Sequence, residues 1–134
     1  MMYRHNKNIK DYLKQKGYLE VTVENGLNYL IPHWKKMVNT FSDADMIYDY
    51  IHFLNKRRII DEIIEFLTNE EKIIVQKELN RIDTIFKEKT FEINECIYKK
   101  RIEEKRGYNR KKHWYYYRIT ESIFNTEQEF TRKE

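Results

Sequence analysis

One stretch decides the fold of this chain, residues 68–86, with the sequence TNEEKIIVQKELNRIDTIF. Its first residues form a capping box, in which the Thr68 hydroxyl accepts a backbone N–H and the Glu71 carboxylate returns a bond to the cap. Apolar residues then recur at alternating four- and three-residue spacing, and the stripe continues beyond Lys89. The stripe comprises Val75, Leu79, Ile82, Phe86, Ile93 and Cys96. The spacing therefore predicts one long helix, from residue 68 toward Lys105, laid across the other helices.

Helical patterns also precede this stretch. Asn6 is a suitable N-cap for a short helix that carries Ile9, Tyr12 and Leu13 on one face and ends near Gly17. Ser42 resembles the cap of a second helix, whose apolar positions are Met46, Ile47, Tyr50, Ile51, Phe53 and Leu54. The charged residues 56–58 interrupt this second pattern before it resumes at Ile59. The interruption is either a turn or the polar side of one bent helix.

Two regions favour strands. Residues 18–24 and 27–31 are rich in β-branched and aromatic residues and flank Asn25-Gly26, a strong signal for a two-residue hairpin turn. Pro32 then stops the ladder and opens a helix over residues 33–38. Residues 113–120, HWYYYRIT, predict a strand beside the hairpin. The predicted fold is α+β and predominantly α-helical: a helical bundle with a small antiparallel sheet made of the N-terminal hairpin and the C-terminal aromatic strand.

Length and composition predict one domain over residues 1–134, with a flexible tail at 121–134. The chain has 134 residues, with 26 Lys and Arg against 22 Asp and Glu, and 15% aromatic residues, which is too aromatic for a disordered protein. No uncharged stretch approaches the roughly 18–20 residues that span a bilayer, and the first residues lack the apolar segment of a signal peptide. We therefore expect a cytoplasmic protein with no membrane partner. A lone Cys96 excludes an intrachain disulfide.

No motif predicts catalysis or metal binding. The four histidines (His5, His33, His52 and His113) and Cys96 do not stand at metal-ligand spacing, and no Gly-rich phosphate loop, nucleophile elbow or paired-carboxylate motif occurs. The sequence therefore predicts no metal site, no cofactor and no enzyme. One alternative is kept: Arg106 and His113, with six residues between them, resemble the Arg-x(4–6)-His ribonuclease motif of HEPN-type helical domains. Gly107 departs from the helical setting of that motif.

A basic and aromatic segment, residues 105–118, favours nucleic-acid binding as an alternative function. Cations interleaved with aromatic rings are what contacts to phosphates and stacking on bases require. The residues expected to bind are Arg106, Arg110, Lys111, Lys112, Tyr115 and Tyr117. Alternation along a strand would send Trp114 and Tyr116 to one side and the two binding tyrosines to the other, so one of the two sets packs in the core.

Residues 29–118 carry four recognisable features: a Trp-containing helix at 33–38, a segment of the type Tyr-Leu-Asn-Asp-Leu-Asp-x-Arg before an acidic and apolar helix, a segment of the type Leu-Asp-x-x-Phe, and a closing aromatic-aromatic-Arg strand. In these features the chain resembles a family of small bacterial immunity-like proteins that accompany secreted or contact-dependent toxins. Matching residues here are Tyr50, Leu54, Arg57, Asp61, Glu62, Asp83, Phe86, Thr90, Trp114 and Arg118; His52, Phe53 and Asn55 depart from the pattern. The matching residues also suit a structural role, with Arg57, Asp83 and Arg118 as ion-paired groups and Tyr50, Phe86 and Trp114 in the core.

The resemblance implies a non-enzymatic immunity protein that neutralises a cognate protein toxin by binding it directly. Residues 41–96 hold 8 basic and 13 acidic residues, whereas both flanking segments are basic. Complementary charge accelerates encounter and selects partners, so acidic helices suit a basic toxin such as a nuclease. The expected contact residues are Asp43, Asp45, Asp49, Asp61, Glu62, Glu65, Glu70 and Glu71.

Overall fold

Helices dominate the computed structural model, which describes residues 2–40, 47–121 and 123–124. The elements in chain order are α1 (Lys7–Gln15), α2 (Glu20–Asn25), α3 (Leu27–Thr40), α4 (Ile47–Ile64), α5 (Asn69–Lys89), β1 (Phe91–Glu92), α6 (Lys100–Arg106), a 3₁₀ helix (Trp114–Tyr117) and β2 (Arg118–Ile119). The predicted class, predominantly helical α+β with a small antiparallel sheet, is confirmed. None of the described helices is long and apolar enough to cross a membrane.

Helix α5 begins as predicted. The Thr68 hydroxyl accepts the Glu71 N–H at 3.2 Å, and a Glu71 carboxylate oxygen accepts the Thr68 N–H at 2.9 Å. The predicted stripe is buried from Val75 to Phe86. The predicted extension to Lys105 is wrong, because Thr90 takes an extended conformation at the C-cap and the next two residues enter the sheet.

Lys89, the charge that interrupts the stripe, connects α5 to the end of α3. Its ammonium group donates to the Val38 carbonyl at 2.7 Å and to the Asn39 carbonyl at 3.1 Å. The last carbonyls of a helix have no partner within the helix and carry partial negative charge, so a lysine from another helix satisfies them. A polar residue on the apolar face therefore serves as a tertiary cap.

Helix α1 also agrees with the sequence. The Asn6 side chain accepts the Ile9 N–H at 3.1 Å, Ile9 and Leu13 are buried, and the helix ends just before Gly17. The predicted hairpin that follows is wrong. In a strand Leu19, Val21 and Val23 would share one face, but Leu19 and Val21 are exposed and only Val23 is buried, because residues 20–25 form α2 instead.

Asn25-Gly26 joins two helices rather than two strands. Gly26 has the positive φ that the dipeptide predicted, φ 53° with ψ −130°, and a Cβ at this position would collide with the His5 ring. Helix α3 starts immediately afterwards, at Leu27, six residues earlier than predicted, and carries Pro32 inside it. Its buried residues Leu27, Leu30, Ile31, Trp34, Met37 and Val38 stand at helical spacing. Each large side chain contributes about 1.5–3 kcal/mol on burial, so together they outweigh the cost of about 3 kcal/mol of an interior proline.

Helix α4 is continuous, so the charged residues 56–58 are part of one helix and not a turn. Tyr50, Leu54, Ile60 and Ile63 are fully buried along it. The predicted cap at Ser42 and the apolar Met46 lie outside the described residues.

The aromatic segment 113–120 is not the predicted strand. Residues 114–117 form the 3₁₀ helix, and only Arg118–Ile119 pairs, antiparallel, with Phe91–Glu92, so the hairpin contributes nothing to the sheet. Tyr115, Tyr116 and Tyr117 are all buried, against the alternation expected of a strand. Their hydroxyls donate to Asp61, Asn55 and Glu103, respectively. A buried Tyr needs such a partner, and the 3₁₀ turn lets three consecutive rings each reach one.

The core joins α3, α4 and α5 to this aromatic segment. Trp34, Tyr50, Phe86, Tyr115 and Tyr116 are its largest fully buried side chains. Ile123 is also buried and Phe124 packs against the core. The remainder of the predicted tail, from residue 125, lies outside the described residues.

Candidate functional site

A cleft of about 930 Å³ opens between the second half of α4, the loop 106–114 and the end of α1. Helix α4 contributes its residues 57–65, and α5 contributes Gln76. Tyr12, Lys16 and Tyr18 line the opposite side. The cleft brings together residues that the sequence assigned to two separate functions, because three predicted toxin-binding acids and three predicted nucleic-acid-binding cations line it.

Glu62 organises the floor of the cleft. Its Oε1 accepts the hydroxyls of Tyr12 at 2.6 Å and Tyr18 at 2.7 Å, and its Oε2 lies 3.2 Å from Arg58 Nε. Arg58 also donates to the Tyr108 hydroxyl at 2.7 Å. Burial and the hydrogen bond to Glu62 raise the pKa of Tyr12 to about 12, so this hydroxyl remains a donor at neutral pH.

Behind the floor lies a buried ionic network centred on Arg57. Its guanidinium contacts Asp83 at 2.8 Å and Asp61 at 2.5 Å. Asp83 also accepts the Trp34 indole N–H at 3.0 Å, and Asp61 accepts the Tyr115 hydroxyl at 3.0 Å. Burial opposes the charge of Arg57, but the hydrogen bond and the charge of Asp83 outweigh it and raise the pKa of the guanidinium.

The structural role suggested for the matching residues is confirmed in this network and at the sheet. Arg57 and Asp83 pair in the core, and Tyr50 and Phe86 are fully buried. Trp114 is only half-buried and packs against the core rather than inside it. Arg118 donates to the Thr90 hydroxyl and carbonyl, and its own carbonyl accepts the Tyr50 hydroxyl at 2.6 Å. These residues hold α4 and α5 to the aromatic segment.

One side of the cleft, here named the basic wall, consists of Arg106, Lys111 and Lys112. All three are exposed and line the cleft. His113 lies beside them, and its Nδ1 accepts the Asn109 N–H at 3.2 Å. Burial lowers the pKa of the His113 imidazole, and the charge of Lys112 lowers it further, so the ring is neutral at pH 7. Arg106 and His113 thus line one cleft, although α6 ends at Arg106 and His113 follows a loop.

The other predicted nucleic-acid contacts lie elsewhere. Tyr115 and Tyr117 are buried, so neither ring is placed to stack on a base. Arg110 donates to the carbonyls of Ile93 at 2.7 Å and Asn94 at 2.8 Å, and its guanidinium lies 4.7 Å from the Tyr117 ring centroid. Of the six predicted residues, only the basic wall faces the cleft.

The predicted acidic contacts separate into two groups. Asp61 and Glu62 belong to the networks above, and Glu71 caps α5 while it contacts Arg4 at 2.9 Å. Asp49, Glu65 and Glu70 are exposed, and Glu65 lines the cleft. Asp43 and Asp45 lie outside the described residues.

Sequence reasoning missed three exposed apolar residues close together in the sequence, Phe66, Ile73 and Ile74, here named the apolar rim. These side chains are 38%, 70% and 49% exposed. Phe66 lines the cleft and packs on the Tyr12 ring at 5.2 Å between centroids. The signal was present in the sequence, because Ile73 and Ile74 precede Val75 and only the last of the three belongs to the buried stripe of α5.

Neither a metal site nor a reactive thiol is indicated by the arrangement of the described residues. Residues 2–40, 47–121 and 123–124 contain no group of three or more His, Cys, Asp or Glu side chains that could hold a metal ion. Cys96 is half-buried, and burial raises the pKa of its thiol, so the thiol is protonated at neutral pH.

No protein-family model, curated protein sequence or solved structure matches this chain. The resemblance to immunity-like proteins therefore stays a prediction. The features of the described residues that bear on function are the cleft, the basic wall and the apolar rim.

Proposed function

We propose that this chain is a non-enzymatic immunity protein that neutralises a cognate bacterial toxin by direct binding, and that the apolar rim is the centre of its contact surface. The observation that carries this proposal is the exposure of Phe66, Ile73 and Ile74 within nine residues of sequence. Grouped apolar side chains at a surface are typical of protein interaction sites, where buried anchors supply most of the binding energy.

Charge around the apolar rim suits a basic partner. Residues 61–78 contain six acidic and two basic residues. Asp61, Glu62, Glu71 and Glu78 pair with arginines, so the acids left for a partner are Glu65 and Glu70. Glu65 and Glu70 flank Phe66 in the sequence and are both exposed. A polar, charged border around an apolar centre is the ordinary anatomy of a protein interface, and the negative border favours a cationic toxin such as a nuclease.

The experiment uses the partner that co-purifies with the tagged full chain from its native cells and resists nuclease treatment. Affinity for this purified partner is measured for Ile73→Ser/Ile74→Ser. The matched control is Leu19→Ser/Val21→Ser, because Leu19 and Val21 are 70% and 40% exposed on α2. We expect the first pair to weaken the complex at least about thirtyfold, which corresponds to about 2 kcal/mol, and the control by less than about threefold.

A second pair tests the charge argument. Glu65→Lys/Glu70→Lys should slow association with the partner, whereas Glu88→Lys/Glu95→Lys, which reverses two other exposed acids, should not. Glu62 is unsuitable for this purpose because its reversal would break the floor of the cleft. The proposed surface is contradicted if Ile73→Ser/Ile74→Ser and Leu19→Ser/Val21→Ser both lose affinity, or if neither does. The immunity function is contradicted if the toxin stays active when it is saturated with this protein.

Nucleic-acid binding remains the second candidate, supported by the three cations of the basic wall. The buried tyrosines 115 and 117 remove the stacking contribution that this alternative expected. Binding would then be mainly electrostatic, with an affinity that falls steeply with salt. Replacement of Lys111 and Lys112 by Ala should reduce both the affinity and the salt dependence if this candidate is correct.

A further inference from the structure

We propose that the cleft binds a small phosphate-bearing ligand, with its phosphate groups against the basic wall. This inference goes beyond toxin binding, since it concerns Arg106, Lys111 and Lys112, and Phe66 is the one residue of the apolar rim that also lines the cleft. It rests on two features of the cleft: its size and its uncompensated positive charge.

The size of the cleft suits a compact ligand. A volume of about 930 Å³ lies near the upper end of the range for small-molecule sites, roughly 300–1,000 Å³. The ring of Tyr12, the exposed edge of Phe66 and the half-buried Trp114 provide aromatic surface along the walls. A flat heterocycle with a phosphate tail, such as a nucleoside phosphate, has both features that this combination of surfaces accommodates.

The charge of the lining favours an anion. Asp61 is paired with Arg57, and Glu62 with Arg58, so these four charges compensate one another. The remaining charged residues of the lining are Lys16, Arg106, Lys111, Lys112 and Glu65, that is, four cations and one anion. A surplus of three positive charges at a concave surface concentrates anions there, and a phosphate group carries more charge in a small volume than a carboxylate.

Isothermal titration of the full chain with ATP, tripolyphosphate and adenosine at physiological salt tests the inference. ATP and tripolyphosphate should bind with a Kd below about 1 mM, and adenosine should bind more weakly than ATP. The decisive variant is Lys111→Ala/Lys112→Ala. Its matched control is Lys100→Ala/Arg101→Ala, which removes the same charge from exposed residues of α6 that do not line the cleft.

We expect the first variant to weaken ATP and tripolyphosphate binding at least about tenfold and the control less than about twofold. Ile73→Ser/Ile74→Ser should bind ATP as the original chain does, which separates this site from the toxin surface. Failure of both phosphate probes to bind, or an equal loss in the two cation variants, would overturn the inference. Tight, salt-sensitive binding of a single-stranded RNA that excess ATP does not displace would also overturn it, in favour of a polymer site.

Discussion

The Arg57 network and the basic wall lie close together in the molecule and use arginine and lysine in opposite ways. Arg57 and Asp83 are only 3% and 6% exposed, and each makes several hydrogen bonds. Lys111 and Lys112 are exposed at the mouth of the cleft. A buried charge must be compensated within the protein, whereas an exposed charge remains available to a ligand. In a chain with this many charges, burial separates the groups that maintain the fold from the groups that can bind.

The largest expected effect comes from breaking the Arg57 network. Asp83→Ala leaves Arg57 with one carboxylate partner and leaves the Trp34 indole N–H without its acceptor. Removal of one partner from a buried ion pair costs about 3–5 kcal/mol, so we expect a loss of that size in the free energy of unfolding, measured by urea denaturation.

The double variant Arg57→Met/Asp83→Leu sharpens this test, because apolar replacement of both partners removes the uncompensated charge. It should recover most of the loss caused by Asp83→Ala. If Asp83→Ala lowers the free energy of unfolding by less than about 1 kcal/mol, as expected of an exposed ion pair, then the buried charges of the Arg57 network contribute no more to stability than exposed ones.

A smaller effect is expected at the floor of the cleft. Glu62→Ala removes the acceptor of the Tyr12 and Tyr18 hydroxyls and the partner of Arg58. Hydrogen bonds to a charged group contribute about 1.5–3 kcal/mol, which is the expected loss of stability. Glu65→Ala, at an exposed position just after the end of α4, should change stability by less than about 0.5 kcal/mol. Equal losses in the two variants would contradict the distinction between paired and exposed acids.

Lys89 is intermediate between the buried Arg57 and the exposed lysines of the basic wall, because its ammonium group is partly buried and donates to backbone carbonyls. Lys89→Met keeps the aliphatic part of the side chain but removes the bonds to the Val38 and Asn39 carbonyls. We expect a destabilisation of about 1–2 kcal/mol, measured by thermal or urea unfolding. Lys77→Met, at an exposed position of the same helix, is the control, and comparable losses would remove the evidence for a tertiary cap.

The smallest expected effect is a pH dependence from two histidines. Burial lowers the pKa of both His33 and His113, and the charges of Lys56 and Lys112, respectively, lower them further. The unfolded chain therefore binds more protons than the folded chain. The contribution of these histidines to the free energy of unfolding is fully present above about pH 6.5, and it is lost as the pH falls through their lowered pKa values in the folded state. Urea midpoints at pH 7.5, 6.5 and 5.5 measure this slope, and His113→Gln should reduce it. An unchanged slope in this variant would show that His113 does not contribute.

Several features of the fold were predictable because their causes are local. The capping box of α5 and the Asn6 cap of α1 use atoms three residues apart, and the buried stripe of α5 follows helical period. The positive φ of Gly26 was also predictable, since glycine adopts it without the steric cost of a Cβ. The Asn25-Gly26 dipeptide did not specify the secondary structure on either side of it, because a glycine with positive φ can join two helices as well as two strands.

The wrong secondary-structure predictions have one physical cause, which is that contacts between distant parts of the chain decide the structure of these segments. Residues 19–31 resemble strands locally, but α3 is stabilised by burial of its apolar face against α4 and α5. Residues 114–117 resemble a strand until their hydroxyl partners are considered, and Asn55 and Asp61 lie more than 50 residues earlier in the chain. Six of the residues predicted to contact a partner line the cleft, but which of their charges are exposed depended on distant partners.

The sequence by itself determined where α1 and α5 begin, which face of α5 is buried and which residues could carry charge to a partner. These properties depend on interactions within about one turn of helix and on side-chain chemistry. Tertiary structure alone decided that Arg57 pairs with Asp83, 26 residues away, that Lys89 caps α3, and that the basic wall and Glu65 face one cleft. The physical reason is that burial, and with it the requirement for compensation, is a property of the assembled core and not of any single segment.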